Sequence, residues 1–379
     1  MRGETVESSR LAVDGLGGAE GRQTLVPETG GRASGVAPLT GTSSGGNLLD
    51  INNLTIDFVS VDGRVRILNG VSLTAKKGEV VGIVGESGSG KTTLGLAILG
   101  LLDSPPAHIV SGSITFEGRD LLKLKPDEME EIHGTGMNMV FQEPLDSLNP
   151  VYTVETQIAE ALKVQRKRQD SPVQHEAEGE TRNLITDLLR NLCIDKPEEV
   201  LERYPHELSG GMRQRVAISI STIEKPRLMI SDEPTTGLDA YVQNRILGMF
   251  SAQRKIGATL LYITHDLTIA SQICDRIYIM YAGRVMEAGE TRGVLQESLH
   301  PYTSTLVASV PHGFEDAPPL AVQLGEPPDL RNLPSGCKFN PRCAYAKDIC
   351  RKTEPNLEEI FGGRYAACWR VDKEHGKFS

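Results

Sequence analysis

The 379-residue sequence has no apolar run approaching the ~20 residues that a membrane-spanning helix needs. The longest, LGLAILGLL at 94–102, is less than half that length, so the chain does not cross a bilayer unaided. It also lacks any excess of positive charge. Forty lysines and arginines against 50 aspartates and glutamates leave a net charge of −10, which gives no electrostatic reason to bind nucleic acid or an anionic membrane surface. Any membrane attachment must then go through a protein. The first residues, MRGETVESSRLAV, have no apolar core of the kind a signal peptide carries, so the expectation is a cytoplasmic chain in which disulfides are disfavoured. Six cysteines therefore need another explanation.

What is present is enough for a large fold. Hydrophobic residues make up 39% and charged residues 24%, which suits two domains, or one large domain with extensions. Residues 1–47 are Gly- and Ser-rich without apolar periodicity and read as a disordered tail. From residue 48 short β-type runs begin, LLDINNLTIDFVSV, RILNGVSLTA and GSITFEG, which predict a small antiparallel subdomain. EVVGIVG (79–85) is a compact apolar strand followed by a glycine loop and a helical segment. RLMIS (227–231), ATLLYIT (258–264) and RIYIMY (276–281) alternate with helical stretches, the pattern of a parallel sheet covered on both faces. The fold class is therefore α/β. A region of about 145–225, rich in Glu, Lys, Arg and Gln with periodic Leu, predicts a helical subdomain. Residues 301–336 read as a helix and a Pro-rich linker, 337–370 as a small Cys-rich module and 371–379 as a tail.

Gly85-Glu86-Ser87-Gly88-Ser89-Gly90-Lys91-Thr92 matches G-x-x-x-x-G-K-[ST] in the context a phosphate loop demands, between a strand and a helix that continues with Thr93. The glycines let successive N–H groups turn inward onto an anion, Lys91 would bridge the β- and γ-phosphates, and Thr92 would ligate Mg²⁺. A second acidic site ends the strand LMIS. There Asp232 would hold Mg²⁺ through water and Glu233 would orient or deprotonate the attacking water. An Asp-Glu pair alone would be read as a solvated strand end; the phosphate loop overturns that reading.

Four further segments resemble the ABC transporter ATPases across about residues 48–300. LSGGMRQR (208–215) is similar to their signature sequence, Gln142 in VFQEP to their Q-loop, Leu238-Asp239 in TTGLD to their D-loop, and His265 in ITHD to their switch histidine. The resemblance implies a P-loop ABC ATPase with a mixed core sheet, using ATP and Mg²⁺. It implies that His265 contacts the γ-phosphate and the water, and that Gln142 reaches Mg²⁺ and a membrane partner. Ser209, Gly210 and Gly211 begin a helix, a ready anion site. In the family this signature closes over ATP held by the other subunit's phosphate loop. Phe58 is the candidate for stacking on adenine.

Cys337, Cys343, Cys350 and Cys368 cluster as C-x5-C-x6-C-x17-C, while Cys193 and Cys274 lie far upstream. Four thiolates suit either tetrahedral Zn²⁺ or an iron–sulfur cubane, and the spacing does not choose. HPYTSTLVASVP (300–311) and the sequence around GCKFNPRCAYAKDIC resemble the carboxy-terminal region of oligopeptide/dipeptide importer ATPases, which implies a [4Fe–4S] cluster. Arg342, between two of the cysteines, would supply charge to balance an anionic cluster.

The leading expectation is therefore the ATP-hydrolysing subunit of a peptide importer on the cytoplasmic face of the cell membrane. Its partners would be two integral membrane permease subunits, a second ATPase chain in a heterodimer or homodimer, and indirectly an extracytoplasmic solute-binding protein. The alternatives are a soluble ABC ATPase of translation or DNA repair, or an importer of a non-peptide solute such as nickel or sugar. Translation-type members carry two cassettes and repair-type members a long coiled coil; here there is one cassette, no heptad run and negative charge.

Overall fold

The computed structural model describes residues 46–61, 63–142, 148–168, 178–310 and 325–371. The tail expected over 1–47 lies outside these residues except for its end, as do most of 371–379 and the middle of the Pro-rich linker.

The chain begins with β1 (Asn47–Ser60) and β2 (Gly63–Lys76), then β3 (Val80–Val84), α1 (Lys91–Ile98), β4 (Ala107–Phe116), β5 (Arg119–Asp120), α2 (Pro126–Ile132) and β6 (Met137–Val140). Helices α3 (Val154–Arg168), α4 (Glu178–Asn191), α5 (Pro197–Leu201) and α6 (Gly210–Ile223) follow. The chain then alternates: β7 (Leu228–Asp232), α7 (Ala240–Lys255), β8 (Thr259–Thr264), α8 (Leu267–Ile273), β9 (Arg276–Tyr281) and β10 (Arg284–Glu290). It closes with α9 (Thr291–Gln296), α10 (Pro301–Ala308), α11 (Asp348–Lys352), β11 (Glu358–Phe361) and β12 (Arg364–Ala366).

Two sheets result. The first is antiparallel, in the order β2-β1-β4-β5. The second has eight strands in the order β11-β12-β10-β9-β3-β8-β7-β6, of which β9, β3, β8, β7 and β6 run parallel. All five residues of β3 are buried, as a strand flanked on both edges and covered on both faces requires. Leu49, Ile51 and Leu73 of the first sheet share one core with Leu94 and Ile98 of α1 and with Ile83, Ile230 and Ile263 of the second sheet. On the opposite face Val84, Met229 and Tyr262 pack with Ile246 and Phe250 of α7. The helical segment has its own core, built on Val154, Ile158, Ile185, Leu189 and Val216.

Register is what positions the site. Val84 pairs with Thr264, Ile263 with Asp232, and Ser231 with Val140, so the carboxyl ends of β3, β8, β7 and β6 lie side by side. Four loops distant in sequence thus emerge at one edge, where ligands gather in open α/β sheets.

The cysteine segment does not stand apart as a separate module. Strand β12 pairs with β10, Glu287 opposite Ala366 and Ala288 opposite Tyr365, and so extends the main sheet. Cys337, Phe339 and Cys350 belong to the core on the α7 side. A segment this short has too few apolar residues for a core of its own and completes another's. A buried ion pair fastens it: Glu287 is 0% exposed and accepts from the Leu299 and His300 N–H groups and from Arg364, all at 2.9 Å.

Candidate nucleotide and thiol sites

The loop after β3 is shaped by two glycines in left-handed conformations, Gly88 at φ +75° and Gly90 at φ +96°. Gly85 is pinned differently: a Cβ there would lie 2.2 Å from the Met280 carbonyl oxygen. The loop turns its own carbonyls onto the lysine, whose Nζ donates to Gly85 O at 2.8 Å and Glu86 O at 2.9 Å. Burial lowers the Lys91 pKa, while Glu233, Asp232 and Glu86 pull it back upward. Helix α1 starts with no side-chain cap and no acidic residue in its first turn. Its free N–H groups and positive dipole end suit an anion. A cavity of about 450 Å³ opens beside the loop. Phe58, Val65 and Ile67 form part of its apolar lining, and Glu86, Ser87, Gly88 and Ser89 contribute the phosphate-loop side.

At the end of β7, Asp232 is 1% exposed, and neither of its oxygens has a hydrogen-bond partner of normal geometry. Burial raises its pKa, opposed by neighbouring Thr92 and Lys91. A carboxylate so deeply buried is costly, and a hydrated divalent cation near Asp232 and the Thr92 hydroxyl would offset that cost. Glu233 adopts φ +46°, unusual for a residue with a side chain, and its N–H is tied to Ile263 O at 2.9 Å. Its carboxylate is a junction. His265 Nδ1 lies 3.0 Å from Oε1, while Gln142 Nε2 donates to Oε2 at 3.3 Å and the Thr236 hydroxyl donates to Oε2 at 3.1 Å. Residues 142, 233 and 265, each pointed to separately by the sequence, are thus joined through one carboxylate. Sequence reasoning misses Thr236; its position three residues after Glu233 is the only signal that could have found it.

Ser209 caps α6, accepting from the Met212 N–H at 3.3 Å. Ser209 and Gly210 are exposed, and among the described residues lining the cavity beside the glycine loop none comes from 208–211. Buried Gln214 on the same helix donates to Pro234 O at 2.7 Å, tying the signature helix to the turn that carries Glu233.

Two family models match the chain: "ABC transporter" over residues 68–236 and "Oligopeptide/dipeptide transporter, C-terminal region" over 286–350. The dipeptide transport ATP-binding protein DppD of Escherichia coli (strain K12) is 40% identical over 322 residues, 85% of this chain and 96% of that protein. The oligopeptide transport ATP-binding protein OppD of Salmonella typhimurium is 38% identical over 328 residues, 86% of this chain and 95% of that protein. The chain belongs to the oligopeptide/dipeptide family of ABC transporter ATP-binding subunits. The fold agrees: a dimeric structure of the ATP-binding cassette MJ0796, in a post-hydrolysis state with ADP and Pi, matches with a TM-score of 0.56 at 26% identity. It covers 65% of this chain and 99% of that one. This ABC subunit is accordingly an ATP hydrolase, and among its described residues no helix is long and apolar enough to cross a membrane.

The second site of the ABC subunit is a small pocket lined by Cys337, Cys343, Cys350 and Cys368 together with Tyr345 and Arg370. Gly336, at φ +67°, lets the backbone pass close to Cys350, whose carbonyl accepts the Cys337 N–H at 2.8 Å. Burial pushes the Cys337 thiol up to about 12 and the Cys368 thiol up to about 11, and neighbouring thiols add to both. Among the described residues no group of three or more His, Cys, Asp or Glu side chains is placed to hold a metal ion. Arg342 does not balance this pocket, contrary to the sequence expectation. Its guanidinium is committed to Glu86, and the cation that does line the pocket is Arg370, which lies 4.7 Å over the Tyr345 ring.

Proposed function

We propose that this chain hydrolyses ATP to drive import of short peptides. It acts at the cytoplasmic face of the cell membrane beneath two integral membrane permease subunits, which a solute-binding protein on the far side supplies. The observation that carries the catalytic part is the Gln142–Glu233–His265 junction at the edge of the phosphate loop. Backbone N–H groups of the 85–90 loop other than those of Glu86 and Ser89, which donate to the Tyr302 hydroxyl and the Glu86 carbonyl, receive the phosphates with those of Thr92 and Thr93, and Lys91 spans β and γ. Thr92 and Gln142, with Asp232 acting through water, would hold the magnesium ion. Glu233 exchanges one present partner for water and takes its proton as the oxygen attacks the γ-phosphorus; the β–γ bridging bond breaks and ADP leaves. His265 holds the γ-phosphate and water, and Phe58 stacks on the base.

Ser209, Gly210 and Gly211 serve the nucleotide of a second ATPase chain, in a head-to-tail heterodimer or homodimer. The exposure of Ser209 and Gly210, the absence of 209–211 from the residues lining the same chain's cavity and the dimeric state of MJ0796 support this. Closure of the pair is then a population shift set by ATP's greater affinity for the closed form.

Cys337, Cys343, Cys350 and Cys368 would hold a [4Fe–4S] cluster. Four thiols lining one pocket match its donor set in number and type. When bound, it supplies a covalent clamp on a segment without its own core.

Glu233→Gln should bind ATP, stop hydrolysing it and elute as a dimer with ATP; hydrolysis at the parent rate would remove Glu233 as base. Vesicles carrying the chain with its membrane subunits should take up labelled dipeptide or oligopeptide, and uptake of nickel instead would replace the solute. Protein purified without oxygen should be brown with about four irons per chain. A colourless preparation with one zinc would replace the cluster.

A further inference from the structure

An acidic residue inside a loop that binds a polyanion is unfavourable unless its charge is cancelled. Glu86 is such a residue, and every polar group it has is engaged. Its carbonyl accepts from Lys91, its N–H donates to the Tyr302 hydroxyl at 3.0 Å, and its carboxylate receives a two-point fork from Arg342 at 2.8 and 3.0 Å. Tyr302 lies on α10 and Arg342 lies between Cys337 and Cys343, so two of the three anchors come from the C-terminal segment.

Arg342 is itself held. Its side chain is 7% exposed, donates to the Tyr281 hydroxyl at 3.2 Å, and sits 5.7 Å over the Tyr281 ring and 5.9 Å over that of Phe339. Tyr281, Tyr302 and Phe339 pack with centroids 4.7 to 5.4 Å apart, a rigid aromatic seat for the guanidinium. The same segment also reaches the nucleotide cavity directly, because Pro327, Pro328, Asp329, Leu330 and Arg331 form one wall of it.

We propose that Arg342 is a positioning residue for the phosphate loop, fixing Glu86 and cancelling its charge, so that the cysteine-bearing segment sets how tightly the loop holds a nucleoside triphosphate. The inference rests on residues 85–92 being the ATP site. Losing Arg342 releases the loop's second residue and leaves an uncompensated carboxylate beside the triphosphate. Like charges brought together across a binding site are strongly penalised.

The test is calorimetric titration of the full chain, purified without oxygen, with the magnesium complex of the non-hydrolysable analogue AMP-PNP. Arg342→Ala should weaken binding about tenfold, within the range of coupling energies for contacting residues. Arg342→Lys, which keeps the charge but not the fork, should lose less. Adding Glu86→Gln to Arg342→Ala should recover a large part of the affinity, since the repelling charge is gone; a contact that only supported folding would not be rescued by removing its second partner. In steady state the KM for ATP should rise in Arg342→Ala while kcat at saturation stays within about threefold, the sign of altered ground-state binding. Thermal unfolding of each nucleotide-free variant checks the fold, and Arg342→Gln carries the same expectation if the alanine variant does not fold. Affinity within twofold of the parent, or a double variant no better than Arg342→Ala, would overturn the proposal. If Lys91→Ala still bound AMP-PNP like the parent, the phosphate-loop reading itself would fall instead.

Discussion

Replacing Gly85 with alanine places a methyl group where there is no room. The added Cβ would stand 2.2 Å from the Met280 carbonyl oxygen and 3.0 Å from Ser89 Oγ. An ordinary C···O contact is about 3.3 Å, so loop and strand must part by about 1 Å. The carbonyl is not free to retreat. Met280 pairs with Val285, and β9 is locked on its other side to β3, with Ile279 opposite Val84. The movement therefore falls on the phosphate loop. Misplacing a binding group by about 1 Å costs up to about 100-fold in rate, close to 2.7 kcal/mol. Gly88 gives the contrast. A methyl group added there would have nothing within 4 Å, but the residue sits at φ +75°, so alanine meets only torsional strain of about 1–2 kcal/mol. Steady-state ATPase assays should show kcat/KM falling about 100-fold in Gly85→Ala and about tenfold in Gly88→Ala, with the nucleotide-free melting of both recorded alongside. A Gly85→Ala enzyme within threefold of the parent, or one less impaired than Gly88→Ala, would refute the steric argument.

Thr236→Val removes a neutral donor to the Glu233 carboxylate, and ATPase kinetics should show kcat down about 10- to 150-fold with KM little changed, given the usual 1.5–3 kcal/mol of a hydrogen bond to a charged group. Arg364→Ala leaves Glu287 buried without its cation, and denaturant unfolding should register a loss of about 3–5 kcal/mol. On the proposed [4Fe–4S] reading, Cys350→Ser should abolish the iron that elemental analysis finds in the parent, whereas Cys193→Ala and Cys274→Ala, whose thiols do not line the cysteine pocket, should keep it.

Local chemistry is readable in the amino-acid sequence alone. Gly85–Thr92, the strand ending in Asp232-Glu233 and the helix begun by Ser209 each state their geometry within a few residues, because turn, cap and strand preferences act between near neighbours. The division into an antiparallel sheet, a mainly parallel sheet and a helical segment follows from hydrophobic period in the same way. Assembly does not. Gln142, Glu233 and His265 meet only because β6, β7 and β8 end in register, which depends on parallel pairing between strands separated by intervening helices. No period or motif announces that Arg342 grips Glu86 across 256 positions, or that Arg370 rather than Arg342 faces the thiols, since side chains of like charge and spacing are equivalent until packing chooses their partners. The cysteine segment likewise looks separate on spacing alone, and joins the sheet because so few apolar residues cannot exclude water by themselves.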